Sequence, residues 1–353
     1  MSVKQIYPNS QRDSYSENDS VDFLLSFEGE KLKRNTVRLS GYLTVVKADD
    51  TPINGDVKYD GMLGIHAFCD SFNTQIDGVF IENQQAYARA VKTAVQANQS
   101  GSSQGAETSK SIELRCGNDE MTKEILKGLD GNKPLPFSMQ PHICLNNVLS
   151  GDLQYNGGVM VNVRLAPVLD VFYGADAVGV KYSITDLKMS YETVVDDGKK
   201  EEVVMLTKTM VRNNLVSSNH QLSTKVPVLA LSVSGTFIKT NNLSKSTTNN
   251  TACEVLDVTR LEFEMNDGTG YQSYALESRN EILYNYILAN GNSQHNDFSL
   301  KKLSQGIGYG IGLNFNDSTI DFHEKKFGLS VISSASNVDP YTLFMYFTGV
   351  IKV

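Results

Sequence analysis

Tyr182–Val195 reads YSITDLKMSYETVV, and the chain closes on a second stretch of the same kind, Tyr341–Val353, YTLFMYFTGVIKV. Each is long, aromatic-rich and largely alternating, the pattern of a β-strand that turns one face to a core. Each also has a similar approach. VLDVFYGADAVGVK (Val168–Lys181) and KFGLSVISSASNVDP (Lys326–Pro340) both pass from an apolar segment into a small, turn-prone loop. One ending used twice implies one domain used twice, so the chain is searched first for an internal repeat.

Three further pairs of segments occur in the same order. Ser40-Gly41-Tyr42-Leu43, inside TVRLSGYLTVV, matches Ser234-Gly235-Thr236-Phe237, inside ALSVSGTFIK, 194 residues later. CDSFNTQIDG ends at Gly78 and LEFEMNDG ends at Gly268, 190 later, and each is expected to run into a helix. Phe137-Ser138 matches Phe298-Ser299, 161 later, and Tyr182 matches Tyr341, 159 later. The drop of 29 between the second and third pairs predicts an insertion in the first copy, an inserted loop over 96–133.

The two copies divide into strands by their alternation. Residues 1–20 are polar and read as an N-terminal arm. Val21–Phe27, Val37–Val45, Met62–Phe72 and Val159–Leu165 read as strands of the first copy, with a turn at TPINGD (Thr51–Asp56). Asn83–Ala97 is rich in good helix formers. A Ser/Gly-rich loop follows, and Met121–Leu129 forms a second short helix. DDGKKEE (196–202) is a charged linker. In the second copy Val228–Ile238 and Val255–Met265 are strands, Asn241–Thr251 is a polar loop, and Tyr274–Ala289 is a helix stopped at Asn290-Gly291. Short strands at this spacing, with one inserted helix per copy, imply antiparallel sandwiches with Greek-key crossings. The expected fold is all-β: two tandem eight-stranded jelly-roll sandwiches with short inserted helices. The expected domains are an arm at 1–20, a first roll at 21–195, a linker at 196–202 and a second roll at 203–353.

Composition excludes several functions. With 353 residues, 40% hydrophobic and 20% charged, the chain has material for two or three globular domains. A net charge of −8 argues against a surface built to neutralise phosphates, so no direct nucleic-acid binding is expected. The four cysteines, Cys69, Cys116, Cys144 and Cys253, match neither a zinc set nor a disulfide framework, which fits a reducing compartment. The first twenty residues lack the apolar core of a signal peptide. No apolar run approaches a membrane span. The sequons at Asn98, Asn242 and Asn249 read as polar loop residues.

Reactive constellations are missing. Gly306, Gly308, Gly310 and Gly312 have period two and not the spacing of a phosphate loop, so they describe a strand whose glycine face lies against bulky neighbours. His66, His142, His220, His295 and His323 are scattered, unlike a metal site on adjacent strands. Asp196, Asp197, Glu201 and Glu202 could crowd oxygen around a hard cation, but such a run is expected to be a solvated linker. Glu262 and Glu264 share a strand face without a cleft that would give them glycosidase chemistry. No catalytic, cofactor-binding or metal residue is assigned, no cofactor is expected, and the chain is expected not to be an enzyme.

The duplicated endings YSITDLKMSYETVV and YTLFMYFTGVIKV, the twin SGYL/SGTF strands and the helices after Gly78 and Gly268 resemble the double-jelly-roll major capsid proteins. The nearest in size are those of tailless icosahedral, internal-membrane (corticovirus-like and tectivirus-like) viruses. The resemblance covers Val21–Val353. It implies a structural protein of the virion, made in the host cytoplasm, whose homotrimers form pseudo-hexagonal capsomers that tile an icosahedral shell. The implied partners are further copies of itself, neighbouring capsomers, minor or vertex capsid proteins and an internal membrane. The 96–133 insertion resembles the loops that decorate capsomer tops. The alternatives are a minor or vertex capsid protein, against which the second copy speaks, and a jelly-roll carbohydrate-binding module, weakened by the absence of Trp.

Overall fold

Val159–Leu165 shows how the strands arise. Its odd residues Val159, Val161, Val163 and Leu165 are fully buried, while Met160, Asn162 and Arg164 face outward. β-Branched residues at a period of two fit a pleated surface with one face on a core. A computed structural model of the chain describes residues 2–98, 111–116, 118–127, 133–154, 157–199, 201–226, 229–254, 256–266, 271–290, 310–315, 320–321, 326–334 and 340–353.

The principal strands of the first half are β1 (Ser2–Ile6), β2 (Ser20–Leu25), β3 (Arg38–Lys47), β4 (Cys69–Ile76), β5 (Val79–Gln84), β6 (Leu135–Met139), β7 (Val159–Leu165) and β8 (Val180–Val195). Those of the second half are β9 (Val204–Leu215), β10 (Asn219–Lys225), β11 (Leu229–Lys239), β12 (Val258–Asn266), β13 (Tyr271–Leu276), β14 (Ile311–Asn314), β15 (Lys326–Ser333) and β16 (Tyr341–Lys352). Short accessory strands flank β8, β9 and β11. The first half makes two facing four-strand layers, β1-β8-β3-β6 and β2-β7-β4-β5. The second makes β9-β16-β11-β14 and β10-β15-β12-β13. Adding eight to each label of the first half gives the second, so one Greek-key plan is used twice in tandem. One apolar core spans Tyr15 to Met205 and another Leu215 to Phe347.

Registers fix the equivalence residue by residue. Ile6 pairs with Met189, Met189 with Leu39, and Leu39 with Met139. In the second half Thr209 pairs with Phe347, Phe347 with Val233, and Val233 with Leu313. Gly41 and Gly235 each lie two residues beyond this row, and at each a side chain would be tightly crowded. A Cβ on Gly41 would stand 3.2 Å from Ile184 and 3.3 Å from Phe137, and one on Gly235 would stand 3.0 Å from Leu343 and 3.3 Å from Ile311. The repeated Ser-Gly is therefore a packing requirement met twice.

The structure corrects several sequence-based expectations. Residues 1–20 are not a free arm. β1 pairs with β8 over Ser2–Ile6, and Ser14–Ser16 pairs with β8 around Tyr15, which is 2% exposed. Met62–Phe72 is not one strand. Gly64 takes φ +58° beside the Glu113 carbonyl, a short 3₁₀ turn covers Gly64–Phe68, and β4 starts only at Cys69. The first helix, α1, covers Tyr87–Asn98, not Asn83–Ala97. Asp77 and Gly78, both at positive φ, make a tight hairpin turn that sends Val79–Gln84 back along β4 as a strand first. Likewise the predicted helix over Tyr274–Ala289 begins as strand β13, and its helix, α3, covers Arg279–Asn290. The short helix expected at Met121–Leu129 is present inside the 96–133 insertion as α2 (Asp119–Lys127), which buries Thr122 and Leu126. Phe298-Ser299 and Gly268 lie outside the described residues. By register Ile311 is the counterpart of Phe137, since each faces the strand glycine. The length difference is thus shared between two intervals and not confined to one.

Candidate assembly surfaces

The two rolls meet edge to edge. β5 of the first runs beside β9 of the second, and a single parallel bridge, Asn83 to Thr209, joins their sheets. Glu82, 4% exposed, fastens this seam. One carboxylate oxygen accepts the Cys144 N–H at 2.8 Å, and the other accepts the Lys208 N–H at 3.2 Å. Burial pushes its carboxyl up to about 7, and the two backbone donors offset only part of that shift. Two residues along, the Leu206 N–H donates to the Asn147 carbonyl at 2.9 Å.

α1 crosses the seam. Ala90 packs with Ile238, Phe344 and Tyr346 of the second roll, and the Tyr346 hydroxyl donates to the Ala86 carbonyl at 3.1 Å. The C-terminal strand β16 does not turn one face alone to a core: Tyr341–Phe347 are buried on both faces. β16 is central, between β9 and β11. Leu343, Met345 and Phe347 enter the second core, while Phe344 and Tyr346 are covered by α1 from the same chain. The buried Arg89 donates to the carbonyls of Ala252, at 3.0 Å, and Asn250. Its guanidinium lies 4.7 Å from the Phe344 ring centre, and that of Arg212 lies 5.4 Å away.

A charge pair is buried at the same junction. Lys92 on α1 donates to Asp60, which also accepts from the Asn249 amide at 3.0 Å and from the Thr251 hydroxyl. Burial alone would raise the Asp60 carboxyl. The Lys92 charge and these hydrogen bonds outweigh it and hold the group below the usual carboxylate range. Asn249 and Thr251 belong to the polar loop after β11, which the sequence shows only as a polar loop. Its signal was the run of amides and hydroxyls in NNLSKSTTNNT, which cannot form a core alone but suits a hydrogen-bonded seam.

A cleft of about 510 Å³ opens beside the seam, with Asp70, Arg164, Asp170, Arg212 and Phe344 in its walls. Arg164 lies 3.9 Å from Asp70, and Asp170 accepts from the Ser244 hydroxyl at 2.8 Å. Cys69 also lines it, but burial raises its thiol well above the ordinary value, which removes its nucleophilic form. The cleft brings together an ion pair, a hydroxyl–carboxylate hydrogen bond and an aromatic ring.

The residues weighed in the sequence are dispersed. His66 and His142 do meet, with ring centres 5.5 Å apart, a pairing their separation in sequence hid. Burial lowers both, His142 to about 3, so they are neutral packing groups; His66 Nδ1 lies 2.8 Å from the Tyr87 hydroxyl. Asp197 pairs with Lys31 at 2.6 Å and Glu202 with Lys352 at 3.0 Å, so these carboxylates face lysines. Glu262 and Glu264 stand on β12, Glu262 accepting from Ser273. Gly312 backs onto α3, where a Cβ would come 2.7 Å from that of Ala289. Gly306, Gly308, His295 and His323 lie outside the described residues. Among the described residues no group of three His, Cys, Asp or Glu is arranged to hold a metal, and no helix is long and apolar enough to cross a membrane. The four cysteines are free thiols.

No family model matches the chain, and no curated protein matches it in sequence. Its fold, however, matches solved structures over nearly its whole length. The Faustovirus major capsid protein aligns with a TM-score of 0.62 at 9% identity, over 100% of this chain and 90% of that one. The capsid of PBCV-1 virus aligns at 0.59 and 9% identity, over 99% and 94%. The mavirus major capsid protein aligns at 0.53 and 9% identity, over 99% and 90%. The fold of this chain is therefore the double jelly roll found in those proteins.

Proposed function

We propose that this chain is a structural viral major capsid protein, whose trimers form pseudo-hexagonal capsomers of an icosahedral shell. The observation that carries the reading is the tandem use of one strand order, with the two rolls joined edge to edge, in the fold of the Faustovirus and PBCV-1 capsid proteins. A seam between like units is the kind of contact that repeats around a ring, and closed assembly needs repeated surfaces rather than active-site chemistry. The chain works without catalysis or cofactor, resides in the virion after synthesis in the host cytoplasm, and has copies of itself as its main partner, with minor or vertex proteins and an internal membrane as further neighbours. It divides into its two rolls at 196–202, a reading supported by two separate apolar cores, although the first also takes in Val203 and Met205 just past that linker. Electron microscopy of the purified protein tests the proposal. Particles of hexagonal outline, or shells, are expected, and a uniform population of single two-lobed molecules would overturn it.

A further inference from the structure

Three guanidinium groups line the cleft beside the seam: Arg164 on β7, Arg212 on β9 and Arg89 on α1. Two carboxylates, Asp70 and Asp170, stand in the same walls, and burial keeps the Cys69 thiol protonated and uncharged. A chain of net charge −8 therefore turns a positive surface into this recess.

The internal pairings leave two of those cations unanswered. Arg164 has Asp70 at 3.9 Å, and Asp170 is engaged by the Ser244 hydroxyl. Arg89 is 4% exposed, yet its hydrogen bonds go to the neutral carbonyls of Asn250 and Ala252. Asp170 and Glu254 act on it only through space. Arg212 is exposed and lies over the Phe344 ring that Arg89 also approaches. Among the described residues no carboxylate forms an ion pair with either group. A buried charge is ordinarily matched by a counter-charge, and two cations beside one ring repel each other. Ala86 and Ala88, at the start of α1, also line the cleft and add the positive end of a helix dipole.

The recess has the dimensions of a small-molecule site. Its volume of about 510 Å³ is more than an inorganic ion fills and lies in the range of organic-ligand pockets. Ser71 and Gln85 contribute a hydroxyl and an amide to the lining. We infer that this cleft binds a hydroxylated organic anion, an acidic sugar or a sugar phosphate, whose oxyanion pairs with Arg212 and offsets the charge of Arg89 while its hydroxyl groups donate to Asp70 and Asp170. The planar fork of a guanidinium donates two parallel bonds to a carboxylate or to a phosphate, so it suits either head group. Asp70 and Arg164 belong to the first roll, Arg212 and Phe344 to the second. A bound anion thus bridges the seam and stabilises the arrangement of the two rolls. It needs only one chain and stands apart from the capsomer reading.

Titration calorimetry and thermal melts of the purified full-length protein at low ionic strength test it, with glucose 6-phosphate, glucuronate and glucose as probes. At least one of the two anions is expected to bind once per chain and to raise Tm, and the tighter of them identifies the head group as phosphate or carboxylate. Glucose, with the hydroxyl groups and no charge, should do neither. Arg212→Gln should weaken anion binding about tenfold or more. Asp70→Asn should strengthen it, because it removes the carboxylate that competes for Arg164 and keeps an oxygen for the hydroxyl groups. A gain in affinity is an effect that damaged folding cannot produce. Arg260→Gln, at an arginine paired with Glu262 on β12, is the control and should leave the affinity unchanged. Failure of both anions to bind, equal binding of glucose, or an affinity untouched by Arg212→Gln would overturn the inference and leave the capsomer reading standing.

Discussion

Replacing Glu82 by Gln tests the seam through its protons. In the folded chain the carboxyl sits near 7, against 4.5 for the free group. Between pH 4.5 and 7 the folded state therefore binds this proton more tightly than the unfolded state. Stability falls as pH rises through that window, and the full deficit is present above pH 7. At about 1.4 kcal/mol per pH unit the deficit is about 3 kcal/mol. Gln is nearly isosteric with the protonated acid and keeps one carbonyl oxygen for the Cys144 or Lys208 N–H, but it cannot ionise. The stability of Glu82→Gln relative to the unsubstituted protein should therefore improve by about 3 kcal/mol from pH 4.5 to pH 8. In a roll of this size that corresponds to a relative gain in Tm of roughly 6–12 °C. Thermal melts of both proteins at pH 5, 6, 7 and 8 measure it. Two sets of melting temperatures that move in parallel across the series would refute the account of this buried carboxylate.

Lys92→Met leaves Asp60 charged and buried without its cation, and should cost about 3–5 kcal/mol in urea unfolding; a loss under about 1 kcal/mol would contradict the pairing. Arg89→Ala uncaps the Asn250 and Ala252 carbonyls and should cost about 2–3 kcal/mol, with faster amide exchange concentrated in 249–254. Gly41→Val and Gly235→Val should each destabilise by about 1–3 kcal/mol through overpacking, measured by chemical denaturation. A neutral result at only one of the two would break their equivalence.

The repeat was legible because it is written in packing. Ser-Gly recurs where a strand must admit an aromatic or branched neighbour, and the aromatic endings recur because both are central strands beside β3 and β11. The helices were visible as composition, but their starts were not. Val79–Gln84 carries an ordinary mixture of residues, and only the Asp77-Gly78 turn, which needs two positive φ values, reveals a strand. β1 was missed because an edge strand needs little apolar sequence when one neighbour supplies all its hydrogen bonds. The seam was least legible. Glu82, Arg89 and Lys92 look like surface residues of a helix and its approach, but Glu82 is held by Cys144 and Lys208, Lys92 by Asp60, and Arg89 by Asn250 and Ala252, all distant in sequence. No local pattern encodes that pairing.

The central claim, that this chain builds capsomers, is tested most directly by the sedimentation mass of the purified protein at micromolar concentration. The account predicts a species of three times the 38.9 kDa chain mass, stable on dilution. A single species at 38.9 kDa, unchanged by concentration or salt, would contradict it.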